Sequence, residues 1–233
     1  MAYLGEGTPK LGFGMMRLPK LEDGSMDMEQ ICQMVDVFMD ADLTYFDTAY
    51  MYHDYESERA VKKALVDRHE RDSFTVTSKL PVMMLKEEGD LERIFREQLE
   101  KTGLEYFDYY WLHNINRGDI DIADRLNCWD FIRRKKEEGL VRHIGVSAHK
   151  IAVAEEAVAS GLYETLQFPF SYLASDRELA LERACREAGM GFIAMKGLAG
   201  GFLNNADACM GFMSQTEALP IWGIQREEEL DQW

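Results

Sequence analysis

Short apolar runs alternate with amphipathic segments along almost the whole chain. The runs begin roughly 25–35 residues apart, a spacing that accommodates one strand, one helix and two short loops. They cover residues 11–18, 44–49, 74–80, 107–113, 141–148, 166–172, 191–200 and 219–225. Eight such repeats predict a (β/α)8 barrel, the TIM barrel, rather than a doubly wound sheet.

The segments between the runs carry signals for helix starts and helix ends. Residues 27–41 place apolar side chains on one face at helical periodicity. The sequence "SDRE" at 175–178 has the composition of a capping box, in which Ser175 and Glu178 satisfy each other's backbone N–H groups. Glycines follow four helical patterns and predict left-handed C-caps at Gly103, Gly139, Gly161 and Gly189.

Nothing in the chain resembles a linker, so we expect residues 1–233 to form a single barrel domain. The last apolar run is followed only by "REEELDQW", which supplies about two helical turns. The sequence therefore predicts a barrel that is truncated within its last helix. Because that helix should cover the seam between the last strand and the first, we expect apolar surface there.

Composition narrows the possible partners. The net charge is −16, and no basic face of the kind that nucleic acids require is apparent. No apolar run is long enough to span a membrane, and no signal peptide precedes the first repeat. The four cysteines and five histidines show no metal-ligand spacing, which predicts free thiols, no metal site and a cytoplasmic location.

Polar side chains stand at the ends of successive predicted strands, where barrel enzymes carry their active sites. The set comprises Asp47, Tyr52, Lys79 and His113. A free phenol has a pKa of about 10, and a neighbouring ammonium lowers it by stabilising the phenolate. We therefore expect Asp47 to position Lys79 and Lys79 to lower the pKa of Tyr52. His113 would orient a substrate oxygen beside the phenol.

Four motifs carrying these residues resemble those of the aldo-keto reductases. They are "YFDTAYMYHDYESERAVKKAL", "TSKLP", "DYYWLHN" and "IGVSA". The resemblance implies hydride transfer between a nicotinamide cofactor and an aldehyde or ketone, with Tyr52 as the general acid. It also implies a small-molecule carbonyl substrate and a cofactor lying across the barrel mouth.

The resemblance further implies a set of cofactor-binding residues. Ser147 and Gln167 correspond to contacts of the nicotinamide amide, and the loop "KGLAGG" would border the pyrophosphate. The complete set is Ser147, Gln167, Met195, Lys196, Gly197, Gly200, Gly201, Gln225 and Arg226. Ser147 also has a structural interpretation, as the N-cap of a following helix.

The sequence departs from the family pattern at three positions. Ala148 removes one expected amide contact, and Met195 stands where an aromatic side chain stacks on the nicotinamide. Glu229 occupies the position of an arginine that binds the 2′-phosphate, although Arg226 could substitute for it. The cofactor is therefore predicted to be NADP(H) or NAD(H). A bacterial branch with "MKGLAGG" and "LPIWGIQRE" is the most similar; its longer members carry a C-terminal iron–sulfur cysteine segment, which is not assigned to these residues.

Two alternatives remain open at the level of sequence. The barrel could retain a cofactor pocket and act as a non-catalytic, redox-sensing or partner-binding module. The intact set of four polar residues argues against this interpretation, while the departures at Ala148, Met195 and Glu229 leave it open. It could also be a lyase or isomerase that uses the same acid and base groups without a nicotinamide. The polar segment "NINRGDIDIADRL" after the fourth strand is interpreted as a loop, with Arg117 as a candidate anion ligand.

Overall fold

In the computed structural model, which describes residues 9–230, eight parallel strands close into a barrel. The strands are β1 (Gly12–Gly14), β2 (Tyr45–Asp47), β3 (Thr75–Leu80), β4 (Phe107–Ile115), β5 (Val141–Ala148), β6 (Thr165–Pro169), β7 (Gly191–Met195) and β8 (Leu219–Gly223). Each strand pairs with the next along the chain, and β8 pairs with β1 to close the barrel. The predicted (β/α)8 architecture is confirmed.

Helices surround the barrel and connect successive strands. They are α1 (Met28–Asp40), α2 (Ser57–Val61), α3 (Gly89–Thr102), α4 (Arg117–Arg125), α5 (Cys128–Glu137), α6 (Ile151–Ser160), α7 (Asp176–Glu187), α8 (Ala206–Met213) and α9 (Glu227–Leu230). A π-helical turn, Lys62–Val66, continues α2. The predicted capping box at Ser175 and Glu178 is present at the start of α7. The four predicted cap glycines all have positive φ.

Several element boundaries differ from those predicted. β1 ends at Gly14, because the chain then turns and forms an isolated antiparallel bridge between Lys20 and Met26. β7 ends at Met195, because Lys196 adopts a left-handed conformation with φ of 59°. The segment interpreted as a loop after β4 is mostly α4, which begins with a capping box at Asn116.

The barrel interior is filled by large side chains rather than by a channel. This interior cluster comprises Tyr45, Tyr109, Trp111, Ile193, Leu219 and Ile221, with Met195 packed against it. The Trp111 indole donates a hydrogen bond to the Thr165 hydroxyl at 2.8 Å. Gly145 makes room for it, since a Cβ there would lie 2.6 Å from Trp111 Cδ1. A plugged interior confines ligands to the barrel ends.

The second, larger core lies between the strands and the surrounding helices. The apolar face predicted for α1 is buried there, with Ile31, Met34, Val35 and Phe38 inaccessible to solvent. All four cysteines are free thiols, as predicted. Burial raises the pKa of Cys128 to about 11 and that of Cys185 to about 12, so both thiols are protonated near neutrality.

The final helical segment is described only through Leu230, so the predicted truncation of the last helix concerns residues outside the described range. None of the helices within residues 9–230 is long and apolar enough to cross a membrane.

Candidate active site

The four predicted catalytic residues meet at the C-terminal end of the barrel. Asp47 is the last residue of β2, and Lys79 lies next to the last residue of β3. His113 is in β4, where the pairing with β5 shifts register between Leu112 and Ile115. Tyr52 belongs to the turn between β2 and α2. Because parallel strands all end at the same mouth, residues far apart in sequence become neighbours.

Lys79 is fully buried and its ammonium makes three hydrogen bonds. It donates to Asp47 Oδ1 at 2.7 Å, to the Thr48 carbonyl at 2.7 Å and to the Tyr52 hydroxyl at 3.2 Å. An ammonium has three N–H donors, so all of them are engaged. Lys79 therefore has no donor left for a substrate, and its chemical influence passes through Tyr52.

The buried Lys79–Asp47 pair carries charge in a site without solvent access. Burial lowers the pKa of Lys79, but the combined attraction of Asp47 and Tyr52 outweighs it, and the pKa is raised above its usual value. Burial raises the pKa of Asp47, while Lys79 and the Gln167 amide oppose that shift. We conclude that Lys79 is charged near neutral pH. All three N–H groups of its ammonium have acceptors within the protein, and these hydrogen bonds stabilise the charged form.

The predicted lowering of the Tyr52 pKa is wrong for the site as a whole. Burial raises the pKa of Tyr52 above its ordinary value, and the nearby Lys79 ammonium only partly offsets this effect. The reason is that desolvation penalises the phenolate more than one ammonium at 3.2 Å stabilises it. Tyr52 therefore holds its proton near neutrality, which is the state that a general acid needs.

His113 completes the site with a neutral imidazole. Its ring lies edge-on to that of Tyr52, with 5.8 Å between the ring centroids. Burial lowers the pKa of His113 well below its ordinary value, and the charge on Lys79 lowers it further. Its Nδ1 is buried and has no hydrogen-bond partner within residues 9–230. An unpartnered buried nitrogen is costly, so this atom favours a ligand that can hydrogen-bond to it.

Two predicted cofactor residues border this group. Gln167 on β6 donates its amide to Asp47 Oδ2 at 3.2 Å. Ser147 on β5 is paired in register with Gln167, and its hydroxyl accepts the Asn114 backbone N–H at 2.7 Å. Ser147 is not the N-cap of α6, because Lys150 occupies that position. Both side chains lie beside the predicted catalytic residues.

The last residue of β7 and the loop after it supply the next five predicted cofactor residues. Met195 is half-buried on the barrel interior cluster, and Lys196 is exposed. Gly197 is buried against Trp222, where a Cβ would lie 2.3 Å from the indole Nε1. Gly197 is therefore required for packing, a different reason from the ligand approach predicted for it. Gly200 and Gly201 instead supply positive φ angles of 74° and 96° in an exposed turn.

Gln225 and Arg226 follow β8 and are both exposed. Glu229 binds both residues: its carboxylate accepts hydrogen bonds from the Gln225 backbone N–H at 2.9 Å and from the Arg226 guanidinium at 3.1 Å. Arg226 therefore already has a carboxylate partner. Arg117, the other candidate anion ligand, is exposed on α4 and pairs with Glu156 at 2.6 Å.

Sequence reasoning missed two participants in the site. The Thr48 carbonyl is one of the three acceptors of Lys79, and a backbone acceptor leaves no signal in the sequence. Asn114 has positive φ and contacts both Ser147 and His149, the latter at 2.7 Å. Asparagine tolerates that conformation better than most residues, so its position after His113 was a detectable signal. Within the described residues, no group of three or more His, Cys, Asp and Glu could hold a metal ion.

Comparison with known proteins gives a family match over most of the chain. The sequence profile of the Aldo/keto reductase family matches residues 10–221. A probable aldo-keto reductase 1 from Glycine max is 26% identical over 201 residues, which cover 83% of this chain and 57% of that protein. D-threo-aldose 1-dehydrogenase from a Pseudomonas species is 23% identical over 235 residues, covering 88% of this chain and 70% of that protein. The chain thus spans little more than half of the soybean relative.

Solved structures share the fold at low sequence identity. A thermostable aldo-keto reductase bound to the inhibitor epalrestat superposes with a TM-score of 0.80 at 21% identity, covering 100% of this chain and 90% of that one. An aldo/keto reductase from Klebsiella pneumoniae, solved with NADP and acetate, has a TM-score of 0.74 at 20% identity, covering 97% and 84%. At these identities, the similarity shows a shared barrel fold.

Proposed function

The chain belongs to the aldo/keto reductase family, and we propose that it is an NAD(P)H-dependent oxidoreductase that reduces an aldehyde or ketone, or oxidises the alcohol in reverse. The observation that carries this proposal is the full engagement of Lys79 by Asp47, Thr48 and Tyr52. A buried ammonium that is fixed by a carboxylate and a carbonyl and donates its third hydrogen bond to a phenol supports proton transfer at that phenol.

The geometry supports a role for each of the four residues. A bound nicotinamide would supply the hydride that the carbonyl carbon accepts. Tyr52 donates its hydroxyl proton to the carbonyl oxygen, and Lys79 stabilises the phenolate that this transfer leaves. His113, neutral and with an unpartnered nitrogen, hydrogen-bonds at the mouth and orients the reacting group. Asp47 holds Lys79 in place.

The site contains features that fit a dinucleotide. The unpartnered Nδ1 of His113 and the side chains of Ser147 and Gln167 provide polar groups at the mouth. The exposed loop with Gly200 and Gly201 offers backbone without side-chain bulk. We propose that these residues, with Met195, Lys196, Gly197, Gln225 and Arg226, bind NADP(H) or NAD(H); the Klebsiella pneumoniae relative was solved with NADP.

The proposal is tested first by titrating tryptophan fluorescence of the purified chain with NADPH and NADH. Turnover is then measured on a panel of aldehydes and ketones. We expect Tyr52→Phe to retain cofactor affinity within about twofold. Its turnover should fall by about a hundredfold to ten-thousandfold, the usual contribution of a positioned general acid.

Each alternative predicts a different result. Cofactor binding without turnover across the panel would favour a non-catalytic binding module. Failure to bind either cofactor would favour a lyase or isomerase. Unchanged turnover in Tyr52→Phe would remove Tyr52 from the mechanism.

A further inference from the structure

Two polar residues at the start of α2 are buried without access to solvent. Ser57 and Glu58 both have 0% relative exposure, although they stand at the first two positions of a surface helix. Ser57 Oγ and Glu58 Oε1 both have hydrogen-bond partners, whereas Glu58 Oε2 is buried without one among residues 9–230. Hydrogen bonds between buried polar groups specify a particular geometry. The two side chains extend toward different strands of the barrel.

Ser57 connects α2 with the segment that holds the ammonium end of Lys79. Its hydroxyl donates to the Met15 carbonyl at 2.9 Å and lies 2.8 Å from the Thr48 hydroxyl. Its backbone N–H donates to the Tyr52 carbonyl at 3.2 Å. Thr48 in turn presents its own carbonyl to Lys79 Nζ. Ser57 therefore ties together the acceptor of the ammonium and the residue that bears the phenol.

Glu58 connects α2 with the backbone end of Lys79. Its Oε1 accepts the Ser78 hydroxyl at 2.7 Å and the Gln98 amide at 2.6 Å. The same Gln98 amide also donates to the Lys79 carbonyl at 3.2 Å. Gln98 cannot rotate freely, because its Oε1 accepts the Tyr110 hydroxyl at 2.6 Å. The carboxyl group thus orients the amide that fixes the main chain of Lys79.

We propose that Ser57 and Glu58 form a positioning pair that holds Lys79 at both ends and so sets its distance from Tyr52. This inference rests on the proposed function, since it gives the Tyr52–Lys79 contact its significance. Glu58 acts through the two hydrogen bonds that its Oε1 accepts. The charged groups facing it from α3 are Lys101 and Glu97, which are paired with each other at 2.7 Å.

The test compares two substitutions at Glu58. Glu58→Leu removes the acceptor, whereas Glu58→Gln keeps an oxygen for Ser78 and Gln98. Gln98→Met provides a second disruption that leaves Glu58 in place. Asp108→Asn is the matched control, because Asp108 is a buried carboxylate near the opposite end of β4, bound to Arg71 and the Val76 N–H. All variants are checked for cooperative unfolding.

Two readouts are measured on each variant. Carbon-13 NMR of Cζ-labelled tyrosine, with Tyr52 assigned through Tyr52→Phe, reports the phenol's hydrogen bond without any turnover. Steady-state kinetics with the best substrate of the panel gives kcat and KM separately. We expect Glu58→Leu and Gln98→Met to move the Tyr52 signal. They should also lower kcat by about 10- to 100-fold with KM within about twofold, the effect of slight misplacement of a catalytic group. Glu58→Gln and Asp108→Asn should leave both readouts unchanged.

The outcomes separate this inference from the proposed function. An unmoved Tyr52 signal in folded Glu58→Leu or Gln98→Met would overturn it. A loss in Glu58→Gln equal to that in Glu58→Leu would overturn the acceptor role. A moved signal in a protein that turns over no carbonyl compound would refute the proposed function and support the positioning pair. If Glu58→Leu does not fold, Gln98→Met decides the matter.

Discussion

At the residue scale, the active site depends on the competition between burial and charge. Lys79 is pulled toward the protonated state by Asp47 and Tyr52 against the cost of its burial. Tyr52 has one stabilising ammonium and a large desolvation cost, so its pKa rises. The same environment therefore favours a charged lysine and a neutral phenol. This pairing places a proton donor beside a cation that can stabilise the donor's conjugate base.

His113 gives a pH-dependent prediction. Burial lowers its pKa well below 6.5 in the native protein, so the unfolded chain binds the proton more readily. Native stability should therefore fall as pH drops from 6.5 toward the lower native pKa, by at most about 1.4 kcal/mol per pH unit from this group. Urea unfolding from pH 7.5 to 5 should show a shallower dependence for His113→Gln than for wild type. Parallel stability curves for the two proteins would contradict a lowered pKa of His113.

Glu229 gives a prediction about cofactor preference. Its carboxylate binds the exposed Arg226 guanidinium, so Arg226 is partly neutralised at the place where a 2′-phosphate is expected. Glu229→Gln should tighten NADPH by about threefold and leave NADH unchanged, because an exposed ion pair contributes only about 0.2–1 kcal/mol. The fluorescence titrations measure both constants. Arg226→Gln is the control and should remove the gain; equal tightening of both cofactors would count against a 2′-phosphate site.

At the element scale, the start of α7 and the glycine caps were predictable because their chemistry is local. The capping box of α7 involves residues three positions apart, and the cap glycines satisfy a conformational need of a single residue. The boundaries of β1 and β7 were less predictable. β1 ends where the chain turns toward the bridge between Lys20 and Met26, and β7 ends just before Gly197 approaches Trp222, a residue distant in sequence.

Two glycines without steric neighbours give opposite predictions at this scale. Gly161 ends α6 at φ of 63°, whereas Gly211 lies inside α8 with ordinary helical geometry. A Cβ would meet nothing within 4 Å at either position. Gly161→Ala should destabilise the protein by about 1 kcal/mol through its left-handed backbone. Gly211→Ala should stabilise it by about 0.5–1 kcal/mol through helix propensity. Thermal and denaturant unfolding measure the stability of both variants. Stability changes of the same sign in the two variants would show that backbone conformation does not determine the effect.

At the scale of the whole molecule, large side chains that lie next to glycines fill the barrel interior. Trp111 fills the interior beside Gly145, and Tyr45 fills it beside Gly12. Protein interiors are packed as densely as organic crystals, so each such position has a fixed volume. Because the interior is filled, the space for a ligand is at the mouth, where Lys79, Tyr52 and His113 meet.

Gly145→Ala should therefore destabilise the whole barrel. A Cβ would lie 2.1 Å from Thr165 Oγ1 and 2.5 Å from the Thr165 carbonyl, and the backbone atom cannot rotate away. We expect a loss of about 3 kcal/mol, the upper end of the usual range for overpacking. Chemical denaturation measures it, with Gly89→Ala as a control because a Cβ there meets nothing within 4 Å. A loss below about 1 kcal/mol would show that β5 and β6 can separate.

The sequence by itself determined the barrel, the capping box of α7, the four cap glycines and the identities of the four residues at or just after the strand ends. These follow from periodicity, from local backbone chemistry and from motifs whose spacing is short, such as the five positions between Asp47 and Tyr52. Glu58 also left a trace, since it shares a helical face with Val61 and Leu65.

Only the tertiary structure decided how these residues act on one another. The three contacts of Lys79, the net rise of the Tyr52 pKa and the Arg226–Glu229 pair all depend on burial and on distances across the fold. Gly197 shows the same division, because its position was predicted but its reason, the approach of Trp222, was not. Desolvation and close packing are properties of neighbours in space, and a linear pattern of residues specifies them only once the barrel has closed.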